Sequence, residues 1–287
     1  MIPGLGRFMF RVVLVLVTAT APMGADAEPR PSGTVRVGLL PTIATLSLLS
    51  LYDPLRQHLQ EALGRPVELY TAPNFQAYLD DVEAEEFDVL VAAPHFGVLA
   101  YDRGYVPLYH YDQELTPLIV VPKGSELHEA AQLRGRRILT ADRLAALSVV
   151  AETWLWVDYH LRAGRDYDLR EVASHSTAIR AVAIGDADAA ISSPSVMQQV
   201  PEDLRDRVIF FPSRLRIPHQ FILAHARLGD GTVRAIRDAL GRFGDTERGK
   251  AFFKAGGFKG LVPIDAEDIR RARPYADMIS HKSRSGN

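Results

Sequence analysis

Cysteine is absent from all 287 residues. That excludes disulfides, thiolate metal sites, a cysteine nucleophile and a lipid-modified cysteine after an export signal. Long apolar runs are also scarce. The one sustained stretch, residues 12–17, falls well short of the ~20 residues needed to span a bilayer. Positive charge is nowhere concentrated: 33 basic residues face 35 acidic ones, for a formal net charge of −2. A nucleic-acid partner needs a concentrated basic face, so none is expected. The chain carries no GxSxG, HExxH or P-loop string, and no HxxxH or HxH pair that would pre-assemble a metal site. Neither an enzyme activity nor a cofactor nor a metal is therefore expected. Low-complexity tracts and short tandem repeats are missing too.

What is present begins with an address. Arg7 and Arg11 precede the apolar run, and small residues follow, ending in Ala25-Asp26-Ala27. A basic start, a short apolar middle and an A-x-A site form the pattern of a cleaved secretory signal. Residues 1–27 are expected to be removed, leaving a protein in the periplasm.

The body of the chain is organised around two stretches that read as copies of one device. Residues 74–96 are NFQAYLDDVEAEEFDVLVAAPHF, and residues 175–195 are HSTAIRAVAIGDADAAISSPS. Each starts with a polar residue suited to a helix N-cap and breaks at an acidic or Gly-Asp turn. Each resumes at an Asp (Asp88, Asp188) and enters a short apolar strand. Ala92-Ala93-Pro94 closes the first, and Ser192-Ser193-Pro194 the second. A short apolar strand after a helix reads as a buried parallel strand of an αβ unit. In such sheets ligands lie beyond the carboxyl ends of strands and near helix N-termini. Two units predict an α/β protein of two lobes, each offering one wall of a cleft.

The remaining elements follow in order. Residues 34–40 and 66–72 read as strands, separated by a helix with Leu48, Leu51, Leu55, Leu59 and Leu63 at helical spacing and Gly64 as its stop. A helix over 96–103 leads to strands at 105–111 and 115–121, both candidates for the crossing between lobes. A short helix over 125–133, a strand over 136–140 and a helix over 148–163 come next. Residues 172–173 open a strand into the second device. A strand over 207–211 precedes a return crossing at 217–224, followed by helices at 232–242 and 246–254. A Gly-rich turn over 255–260 completes the lobe, and residues 280–287 read as a polar, disordered tail.

In this order the strings VGLLP (37–41), YDPL (52–55), FDVLV (87–91), PLIVVPK (117–123), LRGRRI (133–138), SHSTAIRAV (174–182) and GGFKGLVP (256–263) resemble the phosphate/phosphite/phosphonate family of periplasmic binding proteins, type II solute-binding proteins of ABC transporters. The resemblance runs from about residue 35 to 278. It implies a hinged protein with residues 34–115 and 218–278 in one lobe and 116–217 in the other. It would close over a small molecule and hand it to an ABC permease, as a monomer. Members usually carry a Ser-Thr-Ser run after the first strand of the second lobe. The matching residues here are Leu144-Ala145-Ala146, so a ligand other than a simple phosphonate is expected.

The candidate ligand-binding residues follow from these positions. Thr42 lies in the loop after the first strand, and Ala93, His95 and Phe96 end the first device. His175, Ser176 and Thr177 open the second device; Ser192 and Ser193 end its strand. His219 sits at the return crossing, Arg143 in the altered loop as a clamp for an oxyanion, and Phe75 as an apolar wall. For most of them there is a plainer role. The histidines can satisfy local carbonyls, Ser176 and Thr177 can cap their helix, Phe75 and Phe96 can be core, and Arg143 can be solvated. A different class of function is a sensory partner on the same fold, presenting its closed state to a membrane histidine kinase. An enzyme on that fold is a third reading.

Overall fold

The computed structural model describes residues 33–284; the expected signal segment lies outside the described residues. Strand β1 (Val35–Leu39) leads to helix α1 (Thr45–Leu63). Leu48, Tyr52, Leu55 and Leu59 form its buried stripe at spacings of three and four, and Gly64 ends it in the left-handed region at φ 63°. Strand β2 (Val67–Thr71), helix α2 (Phe75–Glu83), strand β3 (Val89–Ala92), helix α3 (Pro94–Tyr101) and strand β4 (Tyr105–Tyr111) follow. A short strand β5 (Glu114–Leu115) leads into β6 (Leu118–Pro122), β7 (Arg137–Thr140), helix α4 (Ala146–Tyr159), β8 (Asp168–Glu171), α5 (His175–Ala183), β9 (Ala189–Ser192), the short helices α6 (Pro194–Gln199) and α7 (Glu202–Arg205), and β10 (Val208–Pro212). The chain returns through β11 (Ile217–Pro218) to β12 (Phe221–His225), α8 (Asp230–Phe243), α9 (Glu247–Gly256), β13 (Leu261–Pro263) and α10 (Ala266–Arg284).

Two sheets result. The first has the order β13-β4-β12-β3-β1-β2, the second β10-β6-β9-β7-β8, and β5 pairs with β11 in a separate two-stranded link. Strands β1, β2 and β3 run parallel, as do β7, β8 and β9, while β12 and β6 enter antiparallel. Helices cover both faces of each sheet, giving four apolar clusters, one of which takes in residues of both lobes. Both faces covered is what makes β3 and β9 buried at every position rather than at alternate ones.

The two devices are structural copies. Asn74 Oδ1 accepts the Ala77 N–H at 2.8 Å, and Ser174 Oγ accepts the Thr177 N–H at 3.1 Å. Asp88 accepts the backbone N–H of Arg36 at 2.9 Å, and Asp188 that of Arg137 at 2.8 Å. Each Asp thereby ties the start of its apolar strand to the neighbouring strand. Pro94 and Pro194 open α3 and α6, where a missing N–H costs nothing.

Several sequence expectations need correction. The helix expected over 125–133 is only a 3-10 turn, Ala130–Leu133. Gln132 Oε1 accepts the N–H groups of His128 and Glu129, part of the capping box that opens this short turn at Glu129. The helix expected at 148–163 starts at Ala146 and stops at Tyr159, because His160 turns left-handed at φ 54°. The strand expected to open at 172 lies earlier, at Asp168–Glu171. Of the two strands proposed for the crossing, β4 stays inside the first sheet, and the link is made by β5 with β11. The sequence predicts no helix over residues 266–279, yet α10 buries Ala272, Tyr275, Ala276 and Ile279. That helix also runs through the start of the segment expected to be disordered.

Candidate ligand site

The carboxyl ends of β3 and β7 meet at a seam between the lobes. Strand β3 delivers Ala93 as the cap of α3 with no side-chain bond, then Pro94, then His95 at the second helical position. His95 is fully buried, with its ring 4.5 Å from that of Phe96. Its Nε2 lies 3.0 Å from the backbone carbonyl of Leu144 in the other lobe. A carbonyl only accepts, so Nε2 donates and Nδ1 carries the free lone pair. Nδ1 is buried without a hydrogen-bond partner. Burial lowers the pKa of His95 to about 4, against the smaller opposing effect of the Leu144 carbonyl, so the ring is neutral near pH 7.

The facing loop is shaped by its own polar groups. Ser148 Oγ donates to the Asp142 carbonyl at 2.6 Å and accepts from Thr140 Oγ1 at 2.5 Å. Asp142 Oδ1 accepts the Leu144 N–H at 2.7 Å, while burial raises the carboxyl above its usual range. With these polar atoms paired inward, the loop turns Leu144 and Ala146 toward the first lobe. Ala146, Val149 and Val150 share one apolar cluster with Ala92, Ala93, Phe96 and Phe221. An apolar contact thus occupies the position where the Ser-Thr-Ser run was expected from the resemblance.

The other candidates are placed as follows. Phe75 is half-buried, its ring edge-on to Phe96 at 6.5 Å. Thr42 is exposed, in a tight turn whose N–H donates to the Leu40 carbonyl at 2.8 Å. Arg143 is exposed, and its backbone N–H donates to Glu171 at 2.7 Å. His175 Nδ1 donates to the Ile191 carbonyl of its own lobe at 3.0 Å, and burial lowers its pKa. Ser176 and Thr177 are exposed, and Thr177 is engaged with the Ser174 cap through both its N–H and its hydroxyl. Ser192 is fully buried with no partner for its hydroxyl. Ser193 caps α6 and bonds Ser195 at 2.9 Å. His219 is enclosed by Tyr111 and Phe258, with ring centroids at 5.5 and 5.8 Å. Burial and the nearby His110 lower its pKa to about 4. Thus Phe75, Ala93, His95 and Phe96 come together with the loop next to Arg143, whereas His175 and His219 bind or pack within their own surroundings.

Sequence reasoning missed the Leu144 carbonyl and the apolar wall of Val149, Val150 and Phe221. The unbroken small and apolar run 144–147 after a strand was the available signal for that wall. Among the described residues, no group of three or more His, Asp or Glu side chains is placed to hold a metal.

Comparison with known proteins places this arrangement. The PhnD1 protein of Prochlorococcus marinus, solved in complex with methylphosphonate, is similar at 14% identity and TM-score 0.73, over 86% of this chain and 98% of that one. A binding protein component of an ABC phosphonate transporter from Pseudomonas aeruginosa is similar at 15% identity and TM-score 0.72, over 89% of both chains. The periplasmic aliphatic sulphonate binding protein SsuA of Escherichia coli reaches TM-score 0.59 at 14% identity, over 88% of both. At these identities the likeness establishes the type II periplasmic binding protein fold and not a ligand. Residues 37–269 match the family described as ABC transporter, phosphonate, periplasmic substrate-binding protein. The chain belongs to that family of periplasmic substrate-binding proteins.

Proposed function

We propose that this substrate-binding protein delivers a small solute other than a simple phosphonate or phosphate to an ABC permease. Export would follow from residues 1–27. Closure would turn on the β5–β11 link, with residues 34–115 and 218–278 forming one lobe and 116–217 the other. The observation that carries the reading is the buried contact of Leu144 and Ala146 with Phe96 and Ala93 across the seam.

An anion closed into this seam meets few donors. His95 already gives its one N–H to Leu144, and Arg143 is exposed. Each missing charge-assisted hydrogen bond forgoes ~1.5–3 kcal/mol. The N-terminus of α4 favours negative charge, but by only ~0.3–1 kcal/mol. That does not offset the several kcal/mol of removing an ion from water. Solute capture itself requires no chemical step.

Isothermal calorimetry with methylphosphonate and with inorganic phosphate tests the reading. Heat of binding is expected to be absent below about millimolar concentration. A dissociation constant near micromolar, about −8 kcal/mol, would refute it.

A further inference from the structure

We propose that the outer edge of β10 is an interface with a second copy of this chain, the two β10 strands pairing antiparallel about a two-fold axis. The interface lies on the outside of the second lobe and holds whatever the solute is. It departs from the monomer that the family resemblance implies.

Four strands form the edges of the two large sheets: β13 and β2 in the first, β10 and β8 in the second. An exposed edge offers unpaired N–H and C=O groups to any extended chain, so edges are ordinarily kept short or made charged. Three of the four follow that rule. Strand β8 carries Asp168, Arg170 and Glu171, β2 carries Glu68, and β13 is three residues long and ends in Pro263. Strand β10 reads Val-Ile-Phe-Phe-Pro, five residues without a charge. Its central Phe210 is 50% exposed.

The ladder to β6 fixes which backbone groups face outward. At its two ends the Lys123 N–H donates to the Arg207 carbonyl at 2.7 Å, and the Ser213 N–H to the Pro117 carbonyl at 2.9 Å. Backbone groups alternate sides along an antiparallel strand, so residues 209 and 211 bond to β6 while 208, 210 and 212 turn away. Among the described residues no other strand pairs with that outer side. Val208 and Phe210 therefore present both an N–H and a C=O, and Pro212 presents a carbonyl alone.

That pattern is self-complementary about Phe210. Set opposite its own copy, Phe210 exchanges both backbone bonds with Phe210 of the second copy. Each Val208 N–H then donates to a Pro212 carbonyl, and the N–H that Pro212 lacks is missed only by the outermost Val208 carbonyl. Ile209 falls opposite Phe211, and the two exposed Phe210 rings lie side by side on one face. The flanking charges agree with this register. Asp206, exposed and without an ion pair among the described residues, falls toward Arg214 of the second copy, and Arg207 toward Ser213, so no like charges meet. Arg214 holds Asp158 through Nε and one terminal nitrogen, which leaves the other free for Asp206. A two-fold pairing uses up the unguarded edge of each copy, so assembly closes at a dimer.

Sedimentation equilibrium of the mature protein tests the proposal. A dimer is expected, with a dissociation constant at or below about 100 μM. Phe210→Lys should weaken it about 10-fold or more, because two lysines would face each other across the axis. Its circular dichroism should match the wild type, since residue 210 gives no backbone bond to β6. The chain has no cysteine, so Phe210→Cys carries a single thiol, placed ~5.5 Å from its copy between Cα atoms. A short bis-maleimide should link two such chains, and should not link Leu46→Cys, a residue 83% exposed on the first lobe. This linking decides the matter if Phe210→Lys does not fold. A wild-type protein still monomeric at about millimolar concentration, a dimer that Phe210→Lys leaves as strong, or linking at position 210 no faster than at 46 would each overturn the inference.

Discussion

Lowering the pH from 7 to 5 should weaken the fold by an amount traceable to two histidines. Burial holds His95 and His219 at about 4 in the folded protein, against about 6.5 in an unfolded chain. The unfolded chain therefore binds more protons between those values. Stability is full above pH 6.5 and is lost as pH falls toward 4. The complete window is roughly 2.5 units, or ~3 kcal/mol per histidine at about 1.36 kcal/mol per unit. Between pH 7 and 5 each contributes ~2 kcal/mol, and the pair ~4 kcal/mol. His175 is lowered in the same direction. Asp81 and Asp142 are raised by burial and act with the opposite sign, gaining stability as they protonate. Asp166, held near 2 by the Arg162 backbone N–H first and by Arg165 and Arg134, contributes only in more acid solution. Urea unfolding at pH 7, 6 and 5, followed by circular dichroism, measures the slope. His95→Phe should remove about half of it. Equal stability at pH 5 and 7, or an unchanged slope in the variant, would refute the assignment of buried neutral rings.

Two further changes probe the packing that positions the site. Gly97→Ala would set a methyl 2.8 Å from the ring of Phe221, on the face where α3 meets β12; a loss of ~1–3 kcal/mol is expected in the same urea assay, and no loss would mean α3 is free to shift. Asp88→Ala and Asp188→Ala each strip a backbone N–H of its acceptor, at ~1–3 kcal/mol. The first should cost more, since Asp88 is the more buried and pairs with Arg227 at 3.0 Å, whereas Asp188 pairs with Arg136 at 3.8 Å, and an equal or reversed order by thermal unfolding would contradict the pairing described.

Much of the fold was legible because punctuation coincided with periodicity. The α1 stripe, the Asn74 and Ser174 caps, the Asp88 and Asp188 strand starts and the two prolines all read locally and all recur in the structure. Strand β8, with sequence DLRE, was not legible: it is an edge strand that buries only Leu169, so no apolar alternation marks it. Helix α10 was hidden by Pro274 and by its many charges, although Ala272, Tyr275, Ala276 and Ile279 carry the helical spacing. At the site, the position of His95 at a strand end was readable, but its partner was not. A main-chain carbonyl 49 residues away leaves no trace in side-chain identity. His219 shows the converse, since a histidine beside a crossing strand reads the same whether its ring meets a cleft or an aromatic cluster.

The order of strands in the first sheet has a consequence for how the protein is made. Strand β12 sits between β3 and β4, although residues 114–218, which include the whole second sheet, separate it from them in the chain. A chain that emerges from its N-terminus completes the second sheet while the first still lacks an interior strand. The side of the first lobe that carries His95 stays unsealed longer still, waiting for α10 to cover α3. Arg271 of that helix bonds both Glu114 and the Arg216 carbonyl at the β5–β11 link. A helix that emerges after both sheets thus also ties down the β5–β11 link, and a nascent protein short of it holds one finished lobe and one open one.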